Sequence, residues 1–187
     1  MRRSIAVHLA RGILRLSGWR APWIELPAGA VIVAPNHRSL LDGPLMACVT
    51  DRPMLFAVDP DWCCHEPWRF ALKLLSRLGF GEVVPLDSRR PFAWRRLAAK
   101  LLDGEPVCLF PEGAIARSEG PLPIRPGLAR LASIASAPIL PVRIEGATRI
   151  WAAPLGASGL ESEEGLADAL KATWSAKAAA VDSTSAR

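Results

Sequence analysis

The chain has 187 residues, half of them apolar and 22% charged, which excludes a disordered protein and leaves enough chain for one domain with a real core. Its net charge of +5 is the balance of 23 basic residues, nearly all arginine, against 18 acidic ones. That balance suits an anionic membrane surface, an anionic substrate or nucleic acid, and is equally met as a compositional habit.

No run reaches the ~18–20 uninterrupted apolar residues of a membrane-spanning helix. Arg11, Arg15 and Arg20 break the N-terminal apolar stretch, which a secretory signal would keep whole, so the expected compartment is the cytoplasm. Residues 4–17 nevertheless have helical periodicity. Ile5, Leu9, Ile13 and Leu16 share one face, and His8, Arg11 and Arg15 share another. Flanked by Trp19 and Trp23, such a helix fits the headgroup zone of a bilayer. It fits equally well packed by its apolar face on the domain.

The strand and helix signals then alternate. "AVIVAP" (30–35) reads as a buried strand and "SLLDGPLMACV" (39–49) as a short helix. A strand at 52–58, a helix at 66–79 closed by Gly79 and a short strand at 81–87 follow. An amphipathic helix spans 91–104, with Pro91 at its start and Gly104 past its end. The strand "PVCLFPEG" (106–113) runs into a turn, and a helix at 126–135 leads to the strand "APILPVRIEG" (137–146). A terminal helix covers 161–180, before a flexible tail at 181–187. This order predicts a single α/β domain over 1–180, with a mainly parallel central sheet flanked by helices and an amphipathic N-terminal helix within 1–20. Ligands of such sheets gather beyond the carboxyl ends of the strands. Two turns there carry chemistry, "PNHRSLLD" and "FPEGAIARS".

The four cysteines, Cys48, Cys63, Cys64 and Cys108, include no C-x₂-C pair. Cys63, Cys64 and His65 are neighbours, and adjacent side chains chelate one ion poorly, so no metal is expected and the thiols are read as free. No basic cluster alternates with aromatics, which argues against nucleic acid.

His37 and Asp42 pose a sharper question. On one continuous helix they would lie about 140° apart and never meet. With His37 in the turn and a helix starting near Ser39, Asp42 falls in the first turn and reaches back to the imidazole. A carboxylate on one ring nitrogen fixes the tautomer and stabilises the imidazolium, which makes a general base of the other nitrogen. No G-x-S-x-G elbow offers such a base a serine, so its proton comes from a substrate hydroxyl. The bland alternative is a capping box, Ser39-x-x-Asp42, in which the acid only satisfies backbone donors. Likewise Pro111-Glu112-Gly113 is, taken alone, a plain turn.

Together these segments resemble a known family. "NHRSLLD" is similar to the N-H-x₄-D block of the glycerolipid acyltransferases, which include the 1-acylglycerol-3-phosphate acyltransferases. "LFPEGAIARS" resembles their F-P-E-G block and "PILPVRIEGA" their closing strand, in the right order across roughly residues 30–150. "FAVD…FGEVVPLD" resembles most the acyltransferase part of bifunctional 2-acylglycerophosphoethanolamine acyltransferases.

The resemblance implies acyl transfer from an acyl thioester, on coenzyme A or acyl carrier protein, to the free hydroxyl of a lysophospholipid at the cytoplasmic membrane face. It implies His37 as base, Asp42 as its orienting acid, and no cofactor, metal or covalent acyl-enzyme. Asn36, Ser39, Glu112 and Gly113 would belong to the substrate site, and Arg117, Arg125 and Gly127 to the phosphate end. There a guanidinium at a helix start, backed by free N–H groups, suits an anion. The chain departs from the family pattern at Ala114, where many members carry Thr, and at Asp87, where phosphatidic-acid-forming members carry Arg. The alternative function is a non-catalytic lipid- or acyl-carrier-binding protein on the same fold.

Overall fold

The structure, a computed structural model, describes residues 4–16, 23–87, 91–115, 123–145, 149–152 and 162–175. Six strands form one sheet: β1 (Ile32–Pro35), β2 (Leu55–Val58), β3 (Glu82–Pro85), β4 (Val107–Cys108), β5 (Ile139–Glu145) and β6 (Arg149–Ala152). Their order is β3-β2-β4-β1-β5-β6, parallel throughout except for β6, which runs antiparallel to β5. Sequence patterning predicts the first five strands. It does not predict β6, nor the one-turn helix α3 (Pro60–Cys63) that follows β2.

The central strands are apolar on both faces because helices cover both. Alternation along β1 and the residue before it sends Val31 and Val33 into one core and Ile32 and Ala34 into the other. The first core packs under α1 (Ile5–Leu16) and α2 (Asp42–Val49), with Met46, Val49 and Phe56 near its centre. The second lies under α5 (Pro91–Leu102), α6 (Leu128–Ala135) and α7 (Glu163–Ser175), with Leu97, Leu101, Leu131, Leu166 and Leu170. Helix α4 (Trp68–Arg77) buries none of its residues.

The N-terminal helix forms as the periodicity predicts, but it sits the other way round from an ordinary surface helix. Val7 and Arg11 are buried, with Ala10 and Leu14 packed against the core. The stronger apolar stripe faces out: Ile5, Leu9, Ile13 and Leu16 are 78, 64, 68 and 90% exposed. Arg11, expected on the solvated basic face, instead turns into the domain. Its guanidinium donates to the Cys48 carbonyl at 2.9 Å, near the C-terminus of α2, and lies 4.5 Å over the Trp23 ring. A cation there complements the negative end of the helix. Trp23 also stacks on His8. Trp19 lies outside the described residues. Ser4 donates through Oγ to the Leu78 carbonyl, so the start of α1 is pinned to the end of α4.

Strand topology positions the two chemical turns. β4 inserts between β1 and β2, so the turns that leave β1 and β4 stand side by side on the carboxyl edge of the sheet. Val33 pairs with Cys108, and His37 and Glu112 each lie four residues beyond that pair. The register alone brings residues 75 apart in sequence into hydrogen-bond reach.

Candidate active site

The site begins where β1 stops. Asn36, one residue past the strand, is buried, and its side-chain amide imitates a strand peptide. Its Nδ2 donates to the Ile144 carbonyl at 3.1 Å and its Oδ1 accepts from the Ile144 N–H at 2.6 Å. Expected at the substrate site, Asn36 lies behind it and anchors the His37 turn to β5.

The next turn brings His37 and Asp42 together. His37 Nδ1 lies 2.9 Å from Asp42 Oδ2, and the same oxygen accepts from the Arg38 N–H at 2.6 Å and the Ser39 N–H at 2.7 Å. Asp42 Oδ1 accepts from Ser39 Oγ at 3.1 Å. Helix α2 starts at Asp42 itself, three residues later than expected, so the carboxylate sits at a helix N-terminus, 1% exposed. Burial pushes its pKa up, but the bonds from His37, Ser39 and Arg38 outweigh burial and hold it below the ordinary value. The carboxylate thus meets both the imidazole and the Ser39 N–H, but the Asp42 N–H goes to the Ser39 carbonyl and not to its hydroxyl, so the reciprocal capping box does not form. Ser39, expected to bind substrate, directs its hydroxyl at Asp42 and accepts the Leu41 N–H at 3.1 Å.

The second turn supports the first. Glu112, 4% exposed, accepts the His37 backbone N–H at 2.7 Å and so ties the F-P-E-G turn to the histidine turn. The Phe110 ring packs against the imidazole, with centroids 4.2 Å apart and the planes tilted by 30°. Sequence reading gives Phe110 no role, since its type suits a strand end equally well. The turn closes through Gly113 N–H to the Phe110 carbonyl at 3.0 Å, with Gly113 at φ +62°. Arg125 is held to the same turn by its backbone N–H on the Pro111 carbonyl at 2.9 Å. Its side chain lies directly over Gly113: a Cβ there would fall 2.5 Å from Arg125 Nε. Arg117 lies outside the described residues.

His37, Gly113, Ala114, Arg125 and Gly127 line one large groove of about 2240 Å³. Asp42 takes one ring nitrogen of His37, so Nε2 is the nitrogen left for a ligand in this groove. The walls toward α4 and the β2–β3 edge are apolar, with Phe56, Val58, Leu72, Leu75 and Phe80. On α4, Trp68, Ala71, Leu72 and Leu75 face the groove. An imidazole held by a carboxylate beside a long apolar trough suits chemistry at the polar end of an apolar chain.

Among the described residues no three or more His, Cys, Asp or Glu side chains are placed to hold a metal ion. The Cys63 and Cys64 sulfurs lie 3.9 Å apart, and burial pushes the Cys63 thiol up to about 12. No helix among the described residues is long and apolar enough to cross a membrane.

The 1-acyl-sn-glycerophosphate (LPA) acyltransferase PlsC from Thermotoga maritima shares the fold, with a TM-score of 0.64 over 90% of this chain and 74% of that one. At 20% identity this likeness speaks for the architecture, a mainly parallel sheet flanked by helices. The sequence model of the Acyltransferase family matches residues 23–145. That span is well over half of the chain and holds both turns and the strands that carry them, so the chain belongs to the Acyltransferase family.

Proposed function

We propose that the protein moves a fatty acyl group from an acyl thioester, on coenzyme A or acyl carrier protein, to the free hydroxyl of a lysophospholipid, either lysophosphatidylethanolamine-like or 1-acylglycerol-3-phosphate. The observation that carries this reading is the 2.9 Å His37–Asp42 contact at the head of an apolar groove. A protein that only bound lipid or acyl carrier would need no imidazole held by a buried carboxylate.

In the proposed reaction His37 Nε2 takes the proton of the acceptor hydroxyl as its oxygen attacks the thioester carbonyl. Asp42 stabilises the imidazolium that forms. Collapse of the tetrahedral intermediate breaks the C–S bond, and the imidazolium returns the proton to the departing thiolate. Arg125 is proposed as the clamp on the acceptor phosphate. With purified protein, a panel of lysolipids and both thioesters, mass spectrometry should find the diacyl product. Absence of product from every pairing sinks the reading.

The working surface is proposed to be the cytoplasmic face of a membrane, held through the outward stripe of α1. Four large aliphatic side chains on one helix face are costly in water. The net charge of +5 suits anionic lipid. The pinning of α1 to α4 sets that stripe beside the helix that walls the groove. Leu9→Gln with Ile13→Gln should leave the fold intact, because both positions are exposed. Each loses an apolar insertion worth up to about 1.5–3 kcal/mol, so partitioning of the double variant into anionic phosphatidylglycerol vesicles should fall by roughly 100-fold or more. Binding by the wild type should weaken with salt as charge attraction is screened. Unaltered co-sedimentation of the double variant would remove α1 from the membrane contact.

A further inference from the structure

One charged residue at the groove has no part in the dyad or the arginine clamp. Helix α6 is capped by Gly127, which has φ +111° and no side chain with which to satisfy the first N–H groups of the helix. Glu163, in the first turn of α7, supplies that cap from a distant part of the chain. Its Oε1 accepts from the Gly127 N–H at 2.8 Å and its Oε2 from the Ala129 N–H at 3.5 Å. Glu163, Gly127 and Arg125 line the same groove as His37.

The consequence for an acceptor is direct. Sequence reading offers the free N–H groups at the start of α6, with Arg125, as a cradle for phosphate. In the folded chain a carboxylate already fills that cradle. A phosphomonoester dianion approaching Arg125 meets Glu163 there, while the rest of the groove wall carries both signs, with Arg95 and Arg130 as well as Asp59, Asp61 and Asp87. A phosphodiester carrying a terminal ammonium brings one negative charge for Arg125 and one positive charge for Glu163. Each carboxylate oxygen has a second acceptor site after its backbone bond is made, so Glu163 can receive an ammonium without releasing α6.

We propose that Glu163 is the residue that sorts acceptor headgroups: it favours a lysophospholipid whose phosphodiester bears an ammonium and disfavours a phosphomonoester. This inference rests on the acyl-transfer reading and deepens it. The test compares wild type with Glu163→Gln on three acceptors of the same acyl chain, with one thioester donor. They are lysophosphatidylethanolamine, 1-acylglycerol-3-phosphate and lysophosphatidylglycerol, the last a diester without an ammonium. The amide keeps an oxygen for the Gly127 N–H and removes the charge.

In Glu163→Gln, kcat/KM for the ammonium-bearing acceptor should fall about tenfold, the size of one charge-assisted contact. The monoester should gain roughly threefold or more as a like charge is removed, and the glycerol diester should change by less than about twofold. An equal change on all three acceptors, or none, overturns the proposal and leaves Glu163 as a helix cap. Wild type alone gives a second measurement, which holds even if the variant folds poorly: preference for the monoester over the ammonium-bearing acceptor also overturns it. Transfer to none of the acceptors overturns the acyl-transfer reading itself, an outcome distinct from transfer with unchanged ratios.

Discussion

His37→Ala is expected to lower turnover by roughly 10²–10⁴-fold, the usual loss when a positioned general base is removed. The fold should survive. The imidazole is partly exposed, and Asp42 would keep the Arg38 and Ser39 N–H bonds and the Ser39 hydroxyl. Asp42 separates two effects that His37 does not. Asp42→Asn can place its amide oxygen where Oδ2 lies and keep all three donors, while the Ser39 hydroxyl reverses to accept from the amide N–H. It should fold but turn over slowly, because the imidazolium loses its counter-charge. Asp42→Ala leaves those buried donors without a partner at about 1–3 kcal/mol each, so it should lose both activity and a large part of its stability. Thiol release and thermal melts on the three variants read the two effects apart. Near-normal turnover in His37→Ala would falsify the mechanism.

The same contacts give a pH signature. The Asp42 pKa is lower in the folded protein than in the unfolded chain. Its contribution to stability is therefore complete above the ordinary carboxylate value, near about 4, and is lost as pH falls through the lower folded value. Asp42→Asn should remove that part of the acid unfolding profile and leave the profile above about pH 5 parallel to wild type. Identical acid profiles for the two proteins would show that Asp42 is not held as an anion.

The parts of the fold legible in sequence are those governed by local periodicity and end signals. Pro91 and Gly104 bracket α5, Gly79 follows α4, and the apolar runs of β1 and β5 stand where they were expected. Short elements are another matter. Helix α3 carries a start signal, Asp59 accepting the Asp61 N–H ahead of Pro60, but four residues contain barely one turn of period. The four residues of β6 form a strand by pairing with β5, and a partner is not a local property.

The site divides along the same line. The pairing of His37 with Asp42 is a five-residue matter and can be read from spacing. The inward turn of Asn36 onto Ile144 spans 108 residues and depends on which strand lies beside β1. Glu163 at α6 is likewise a long-range cap, and Glu163-Glu164 at a helix start reads only as favourable dipole chemistry. Helix α1 shows how periodicity finds a face without saying which way it points. Its weaker side packs inward because Arg11 gains a carbonyl and an aromatic ring there.

The clamp on the acceptor should answer to Arg125. Its backbone is fixed to Pro111, its side chain crosses Gly113, and both residues face the groove that holds His37. A charge-assisted contact to phosphate is worth about 1.5–3 kcal/mol, so Arg125→Ala should raise the acceptor KM by roughly 10–100-fold. The thioester KM should scarcely change, since the donor needs no contact with the headgroup end. Arg125→Lys should recover only part of the loss, because one ammonium cannot reproduce a two-pronged contact. Gly113→Ala supplies an independent arm that keeps the guanidinium. At φ +62° the new side chain is strained, and its Cβ would stand 2.5–2.6 Å from Arg125 Nε and Cδ, so the arginine must move aside. Its acceptor KM should therefore rise in the same direction as that of Arg125→Ala, and the double variant should be little worse than Arg125→Ala alone. Steady-state kinetics with each substrate varied in turn would show this. A defect confined to the thioester, or full additivity of the two substitutions, would take the phosphate away from Arg125 and make Arg117 the next residue to test.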